Sequence, residues 1–302
     1  MTRKRSAQLS EIGEDALVAT LTAGLELGED VQIGAGDDCA VIGAKRAPRW
    51  TLLKTDAVVE GVHFGTDEDW RRVGQKAMNR AISDIAAMGG VPQHALVTVA
   101  VRREETVERV KRLYQGLEKA ARAFEVAIVG GETSRSLGGM FLSVTLTGWV
   151  ERERCVLRSG GKPGDAVYVT GRLGGSIIGR HLDFKPRVAE ARWLVESFLP
   201  SAMMDLSDGI GADLPRLADA SGCSYELWRD RIPKTRGCTV EQALSDGEDY
   251  ELLFTIADAK TDDLEKEWKA DFPKVPLTRI GALVSPGRGG NLRSDHGFDH
   301  FA

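Results

Sequence analysis

The segment DWRRVGQKAMNRAISDIAAMGG, residues 69–90, repeats its apolar residues with a helical period and ends in a glycine pair. It predicts a helix that must bury one face. At about 100° per residue, Val73, Ala77, Ala81, Ile85 and Met88 share one arc, and Asp84 falls inside it. A carboxylate on a buried arc near a helix C-terminus meets both desolvation and the negative end of the helix dipole. Whatever the chain folds into must bring a cation to Asp84. Two sources stand open: Arg80, one turn back at the border of the arc, or a metal ion.

Strand-like runs flank this helix. CAVI, WTLLKTDAVV, HALVTVAV, VAIVGG and MFLSVTLTGWV read as strands, and ETVERVKRLYQGLEKAARAF as a second amphipathic helix. An N-terminal helix is expected over SEIGEDALVATLTAGLEL, with Ser10 as its N-cap. The charged, then glycine-rich ERERCVLRSGGKPGD reads as a boundary, with a type II turn around Pro163 and Gly164. Beyond it, AVYVTG, AMMDL and YELLFTI alternate irregularly with helices at RVAEARWLVESF, GADLPRLADAS and from Thr261 onward. Strands and helices mixed without a strict βαβ rhythm predict two α+β domains, residues 1–150 and 151–302, and 302 residues suit two ordinary domains.

Asp84 has company. Asp37 and Asp38 stand in GDDCAVI, Asp56 closes TLLKTD, Glu132 follows VAIVGG, and Asp205 and Asp208 lie in MMDLSDG. Several of these end an apolar run, where a strand delivers a side chain to a cleft. Gly-Asp-Asp is also good turn chemistry, so the first pair has a plain structural role open to it. Oxygen ligands without a His or Cys cluster select hard ions such as Mg²⁺, which binds through a few carboxylates and substrate phosphates. An acidic pocket and an anionic phosphate are compatible only when divalent ions bridge them.

Other classes are disfavoured. A net charge of −5 argues against nucleic acid as a partner. The basic start MTRKRSAQLS lacks a following apolar region, and no run of 18 apolar residues exists, so neither export nor a membrane span is expected. Cys39, Cys155, Cys223 and Cys238 lack CxxC spacing and read as reduced thiols in a cytoplasmic protein. RSGGKPGD fails as a P-loop, because residue 156 is Val and Pro163 follows Lys162.

Seven motifs in order, GDDCAVI, TDAVVEGVHF, NRAISDIAAMGG, VGGETS, RSGGKPGDAVYVTG, MMDLSDGIGADL and ALSDGEDYELLF, make the chain resemble the thiamine-monophosphate kinases from about residue 8 to 302; the terminal GFDHF is similar too. The resemblance implies ATP-dependent phosphorylation of thiamine monophosphate to thiamine diphosphate, with several Mg²⁺ ions. It implies two α/β-sandwich-like domains of the aminoimidazole ribonucleotide synthetase type. The N-terminal domain would bind ATP and metal and dimerise through its strands, and the C-terminal domain would complete the cleft. Carried over residue by residue, it makes Asp38, Thr55, Asp56, Asp84, Glu132, Asp205 and Asp208 metal ligands, although the family most often has Asp at 132. Tyr114, Gly131, Glu132, Arg158 and Ser207 match nucleotide-contacting positions, and His63, Glu248 and Phe298 match the substrate site.

Several of these residues keep an ordinary role open beside the implied one. Asp208 could cap a helix, Tyr114 could be core, and His63 a half-buried histidine. The chain departs from the family pattern at Lys54, where a small hydroxyl residue is common, and at Asp246, which replaces a glycine. The segments after GRLGGSIIGRHLDFKPR and after Trp228 are short. Transfer between phosphates needs positioning and charge neutralisation, and an acceptor ionised at pH 7 needs no general base, so no catalytic residue of that kind is expected. Two rivals remain: another ATP-using enzyme of the same superfamily, and a nucleotide-binding protein of this fold without enzyme activity. Selenophosphate synthetase, within the first, uses an N-terminal Cys or Sec loop, whereas the first cysteine here is Cys39.

Overall fold

The structure is a computed structural model that describes residues 8–290; Phe298 lies outside them. Helix α1 (Leu9–Thr22) leads into β1 (Val31–Ile33), β2 (Ala40–Ile42) and β3 (Arg49–Val59). Helix α2 (Trp70–Ala87), β4 (Val91–Val101), α3 (Val107–Ala123), β5 (Ala127–Arg135) and β6 (Phe141–Glu151) follow. The later half runs β7 (Ala166–Thr170), α4 (Val188–Ser197), β8 (Ala202–Asp205), α5 (Ile210–Ala220) and β9 (Ser224–Leu227). It closes with α6 (Val240–Ser245), β10 (Leu252–Ile256), α7 (Thr261–Asp271) and β11 (Leu277–Val284).

The helix anticipated from its period is α2. Asp69 caps it, its carboxylate accepting the Arg71 N–H at 3.0 Å. The glycine pair ends it with a Schellman arrangement: Gly90 N–H donates to Ile85 O at 2.9 Å and Gly89 N–H to Ala86 O at 2.8 Å. Gly89 has φ of +71°, and a Cβ there would stand 2.6 Å from Val195 Cγ1, so both backbone and space exclude a larger residue. Met78, Ile82 and Ile85 are fully buried, each worth about 1.5–3 kcal/mol of apolar burial. The expected turn at residues 162–165 closes through Asp165 N–H to Lys162 O at 3.0 Å, with Gly164 at φ +98°.

Two sheets organise the chain. The first has the order β1-β2-β3-β6-β4-β5, and the second β8-β10-β7-β11-β9. All neighbours are antiparallel except β4 and β5. One face of the first sheet packs on α2 and α3: Leu52, Val97, Leu142 and Val144 meet Val73, Ile85, Leu113 and Leu117 in one core. Its other face carries Leu53, Thr55, Leu96 and Phe141 into the open. The second sheet is covered on both faces. Val167, Val169 and Leu253 pack with Leu214 and Leu217 of α5, whereas Tyr168, Phe254 and Ile256 pack with Leu194 of α4 and Trp268 of α7. Ala86 joins this last cluster, so α2 belongs to both halves.

Three expectations need correction. Helix α1 is capped by Gln8 instead of Ser10: the Gln8 N–H donates to Glu11 Oε2 at 2.9 Å, which moves the start upstream of the serine. Strands β1, β9 and β11 escaped the sequence pattern, because β1 and β9 are only three and four residues long and LTRIGALV does not alternate cleanly. Strand β10 begins only at Leu252, since Glu248 and Tyr250 have φ of 51° and 50°.

Candidate active site

Strand alternation decides what β3 presents. Leu52 and Val58 enter the core; Lys54 and Asp56, on the same face, border a cleft of about 430 Å³ where the core stops. Helix α2 adds Arg80 and Asp84, one turn apart, and β8 ends at Asp205. Arg158, Ser207, Asp208, His63 and Glu248 also line this cleft.

At one end, Asp38, Asp84 and Asp205 offer carboxylate oxygens that all lie within 4.8 Å of one another, and all three residues are buried. Two unit charges at that distance repel by about 3–4 kcal/mol at an effective dielectric near 20. The cations that answer them are specific. Lys54 Nζ donates to Asp84 Oδ1 at 2.8 Å, and Arg158 Nη2 to Asp38 Oδ1 at 2.5 Å. Asp205 has the neutral Ser83 hydroxyl on Oδ2 at 2.5 Å. Asp38 Oδ2 is buried and accepts no hydrogen bond. Burial, aided by Asp38 and opposed by Ser83 and Lys54, pushes the Asp205 carboxyl up to about 7. Burial also drives Asp84 well above the carboxylate range, more than Lys54 can offset. Arg80 is therefore not the partner of Asp84; its Nε donates to Asp56 Oδ2 at 3.0 Å, while Lys54 reaches the helix from the neighbouring strand.

The opening Asp pair divides its labour. Asp37 makes the turn, accepting the Asp38 N–H at 3.0 Å and the Arg158 N–H at 3.1 Å, which ties residue 158 to the first sheet's rim. Asp38 turns to the cluster. Burial first, and then Asp38, raises Asp37 to about 6.

The opposite end reverses the balance. Glu248 Oε2 accepts from Lys76 Nζ at 2.7 Å and lies 2.9 Å from His181 Nδ1, with Arg80 Nη1 3.8 Å from Oε1. Burial raises Glu248, but His181, Lys76 and Arg80 together outweigh it and bring the carboxyl down to about 2. Lys76 is fully buried and also donates to the His63 carbonyl at 2.7 Å, and burial lowers it to about 8. Arg80 lines the cleft, and its buried Nη1, near Glu248 Oε1, makes no hydrogen bond.

The remaining sequence candidates fall in three groups. Asp208 is bound by Arg216 at 2.5 Å and does not cap α5, whose N-cap is Gly209; the buried Asp213 instead accepts the Asp208 N–H at 3.0 Å. His63 Nδ1 accepts the Val59 N–H at 3.1 Å while lining the cleft. Thr55, Tyr114, Gly131 and Glu132 stand apart from its lining. Thr55 Oγ1 sits on the open face of the sheet, 3.2 Å from Ser143 Oγ, and Tyr114 of α3 packs against the first core. Glu132 is exposed on β5, opposite Thr98, and a Cβ on Gly131 would stand 1.8 Å from Val97 O, so the strand contact there demands glycine. The sequence argument missed Lys76, Ser83, His181 and Tyr250. Lys76 gave no signal: at about 100° per residue it falls about 60° outside the arc that held Asp84. His181, in a short 3₁₀ turn, had none.

Residues 36–150 match the family described as AIR synthase related protein, N-terminal domain. A thiamine-monophosphate kinase of Rhodopirellula baltica is 39% identical over 272 residues, 84% of each chain. Its counterpart in Bacillus subtilis is 34% identical, over 83% of this chain and 85% of that one. Among solved structures, AaThiL complexed with AMPPCP and TMP superposes with a TM-score of 0.84 at 30% identity, covering 98% of this chain and 100% of that one. HypE of E. coli, a hydrogenase maturation protein, reaches 0.65 at 17% identity, a likeness of fold alone.

Proposed function

The chain belongs to the thiamine-monophosphate kinase family, and from that premise we propose that it transfers the γ-phosphoryl group of ATP to the phosphate of thiamine monophosphate, giving thiamine diphosphate and ADP. The observation that carries the chemistry is the trio Asp38, Asp84 and Asp205, with a buried oxygen of Asp38 left without a partner. Among the described residues the donors that converge there are carboxylate oxygens, which suit hard ions such as Mg²⁺. Bound Mg²⁺ would supply neutralisation of the phosphate oxygens as charge shifts in the transfer.

The protein's own groups do the rest. Asp38, Asp84 and Asp205 would hold the metal, with Asp56 and Asp208 at the cleft margin; Thr55 and Glu132 are the outlying members of the proposed ligand set. Arg158 gives its guanidinium fork to phosphate oxygens, exchanging Asp38 for them, and Ser207, Tyr114 and Gly131 complete the nucleotide side. Arg80, a cleft-lining residue whose Nη1 makes no hydrogen bond, donates to the acceptor phosphate. His63 and Glu248 orient the thiamine end, with Phe298 as the family position beyond the described residues. The acceptor oxygen is already anionic, so no side chain removes a proton. Residues 1–150 and 151–302 act as the two domains whose junction forms the cleft, in a cytoplasmic enzyme.

The open face of the first sheet is the proposed seat of a second copy. Leu53, Leu96 and Phe141 are 37%, 48% and 38% exposed on it, among threonines and without a charged residue at the centre. A face so apolar is self-complementary under a twofold axis. Sedimentation at micromolar concentration tests this, and a monomer removes it. Activity is tested by incubating the protein with ATP, Mg²⁺ and thiamine monophosphate and measuring thiamine diphosphate by its fluorescence after oxidation; no product above background refutes the kinase assignment.

A further inference from the structure

Resting on the metal site just proposed, we infer that Lys54 is a built-in cation of that site: its ammonium keeps one oxygen of Asp84 and lowers by one the number of divalent ions the cluster holds. Lys54 Nζ lies 2.8 Å from Asp84 Oδ1. A Mg²⁺ on that same oxygen, at about 2.0–2.1 Å, would stand roughly 4 Å from the ammonium, two cations competing for one donor. Asp84 is then left with Oδ2 for metal and cannot bridge two ions through both oxygens.

The three members of the cluster differ in how releasable their partners are. Asp205 is answered by the neutral Ser83 hydroxyl. Asp38 is answered by Arg158, at the start of the glycine-rich RSGGKPGD, whose guanidinium has an alternative partner in any phosphate that enters. Lys54 instead rises from the middle of β3, with its backbone held in register opposite Leu146. Its side chain is 24% exposed, and Asp56 lies two residues on along the same strand face. An incoming phosphate therefore finds a fixed positive charge at Asp84 that chelators cannot remove. Lys54 is a positioning residue: it sets which carboxylate oxygens remain for metal.

Equilibrium dialysis of the full chain with Mn²⁺ and AMPPCP counts the ions. Lys54→Ser and Lys54→Gln are expected to bind one more Mn²⁺ per chain than the wild type. Both should melt lower in EDTA and gain more from added Mg²⁺ than the wild type gains. Lys54→Arg, which keeps the charge, should keep the wild-type count. If either neutral variant binds the wild-type number of ions, the role given to Lys54 is overturned while the metal site stands. A wild type that binds no Mn²⁺ at all overturns the metal site and this inference together. Should Lys54→Ser fail to fold, Lys54→Gln, with nearly the native length, supplies the count.

Discussion

The two ends of one cleft treat their carboxylates in opposite ways. Around Asp38, Asp84 and Asp205, acids outnumber the cations that reach them, one oxygen has no partner, and burial raises Asp205 to about 7. Around Glu248, an ammonium, an imidazole and a guanidinium converge on a single carboxylate and hold it near 2. The first end leaves carboxylate charge to be completed by something that arrives; at the second, the carboxylate charge is already answered by the protein's own cations. That difference separates a site for exchangeable charge from a wall that fixes a shape.

The largest break in this contrast should come from the crowded end. Asp84→Asn and Asp38→Asn are expected to lower kcat by about 10³-fold, or ~4 kcal/mol in the transition state. Near-normal kcat at saturating Mg²⁺ for either would erase the distinction. The same end sets a pH effect. A folded pKa of about 7 for Asp205, above its ordinary 3.8, means that its contribution to stability falls as pH rises from about 4 through 7. In EDTA at pH 8, Asp205→Asn should therefore melt no lower than the wild type, whereas Asp38→Asn takes the carboxylate partner from Arg158 and should melt lower. Calorimetric melts separate the two.

At the completed end the effect is smaller and of another kind. Glu248→Gln leaves Lys76 buried beside a neutral group and should destabilise the fold by about 3 kcal/mol. It should raise KM for thiamine monophosphate while leaving the Mg²⁺ requirement unchanged; a shifted Mg²⁺ curve would join the two ends into one site. Because the folded pKa of Glu248 lies near 2 against an ordinary 4.5, its stabilisation is full above about 4.5 and lost as pH falls toward 2. Acid unfolding of Glu248→Gln should accordingly be shallower across that window.

The smallest expected effect sharpens the border of the metal end. Glu132 is exposed on β5 and absent from the cleft lining, so Glu132→Asp should stay within about tenfold in kcat/KM, or ~1.4 kcal/mol. Glu132→Ala should act mainly on the apparent Mg²⁺ requirement. An unchanged Mg²⁺ titration would leave Glu132 only a structural part in its strand.

What the sequence disclosed follows from where its signals were local. Asp84 announced itself because a charge in an apolar arc violates the helical period, and Asp56 and Asp205 because they end apolar runs. The partners of those acids were not legible. Lys54 and Asp84 are 30 residues apart, and Glu248 and Lys76 are 172 apart, so the pairing exists only once β3, α2 and the second sheet are assembled. Lys76 falls outside the arc that held Asp84, and a lysine there is easily taken for a side chain that reaches solvent along its stem. Strand β9 is only four residues long, and β11 carries Arg279 and Gly281 in an uneven pattern, so neither stood out in the sequence.

One helix carries residues of both ends. Lys76, Arg80, Ser83 and Asp84 all belong to α2, and Lys76 and Asp84 are separated by about 12 Å along its axis at 1.5 Å per residue. A single rigid rod with its C-terminus locked at Gly89 thus holds the two ends of the cleft at a fixed separation. If the acceptor spans both ends as proposed, one with a longer or shorter linker is expected to seat one of its ends and miss the other, a selection by length that the backbone of α2 would impose.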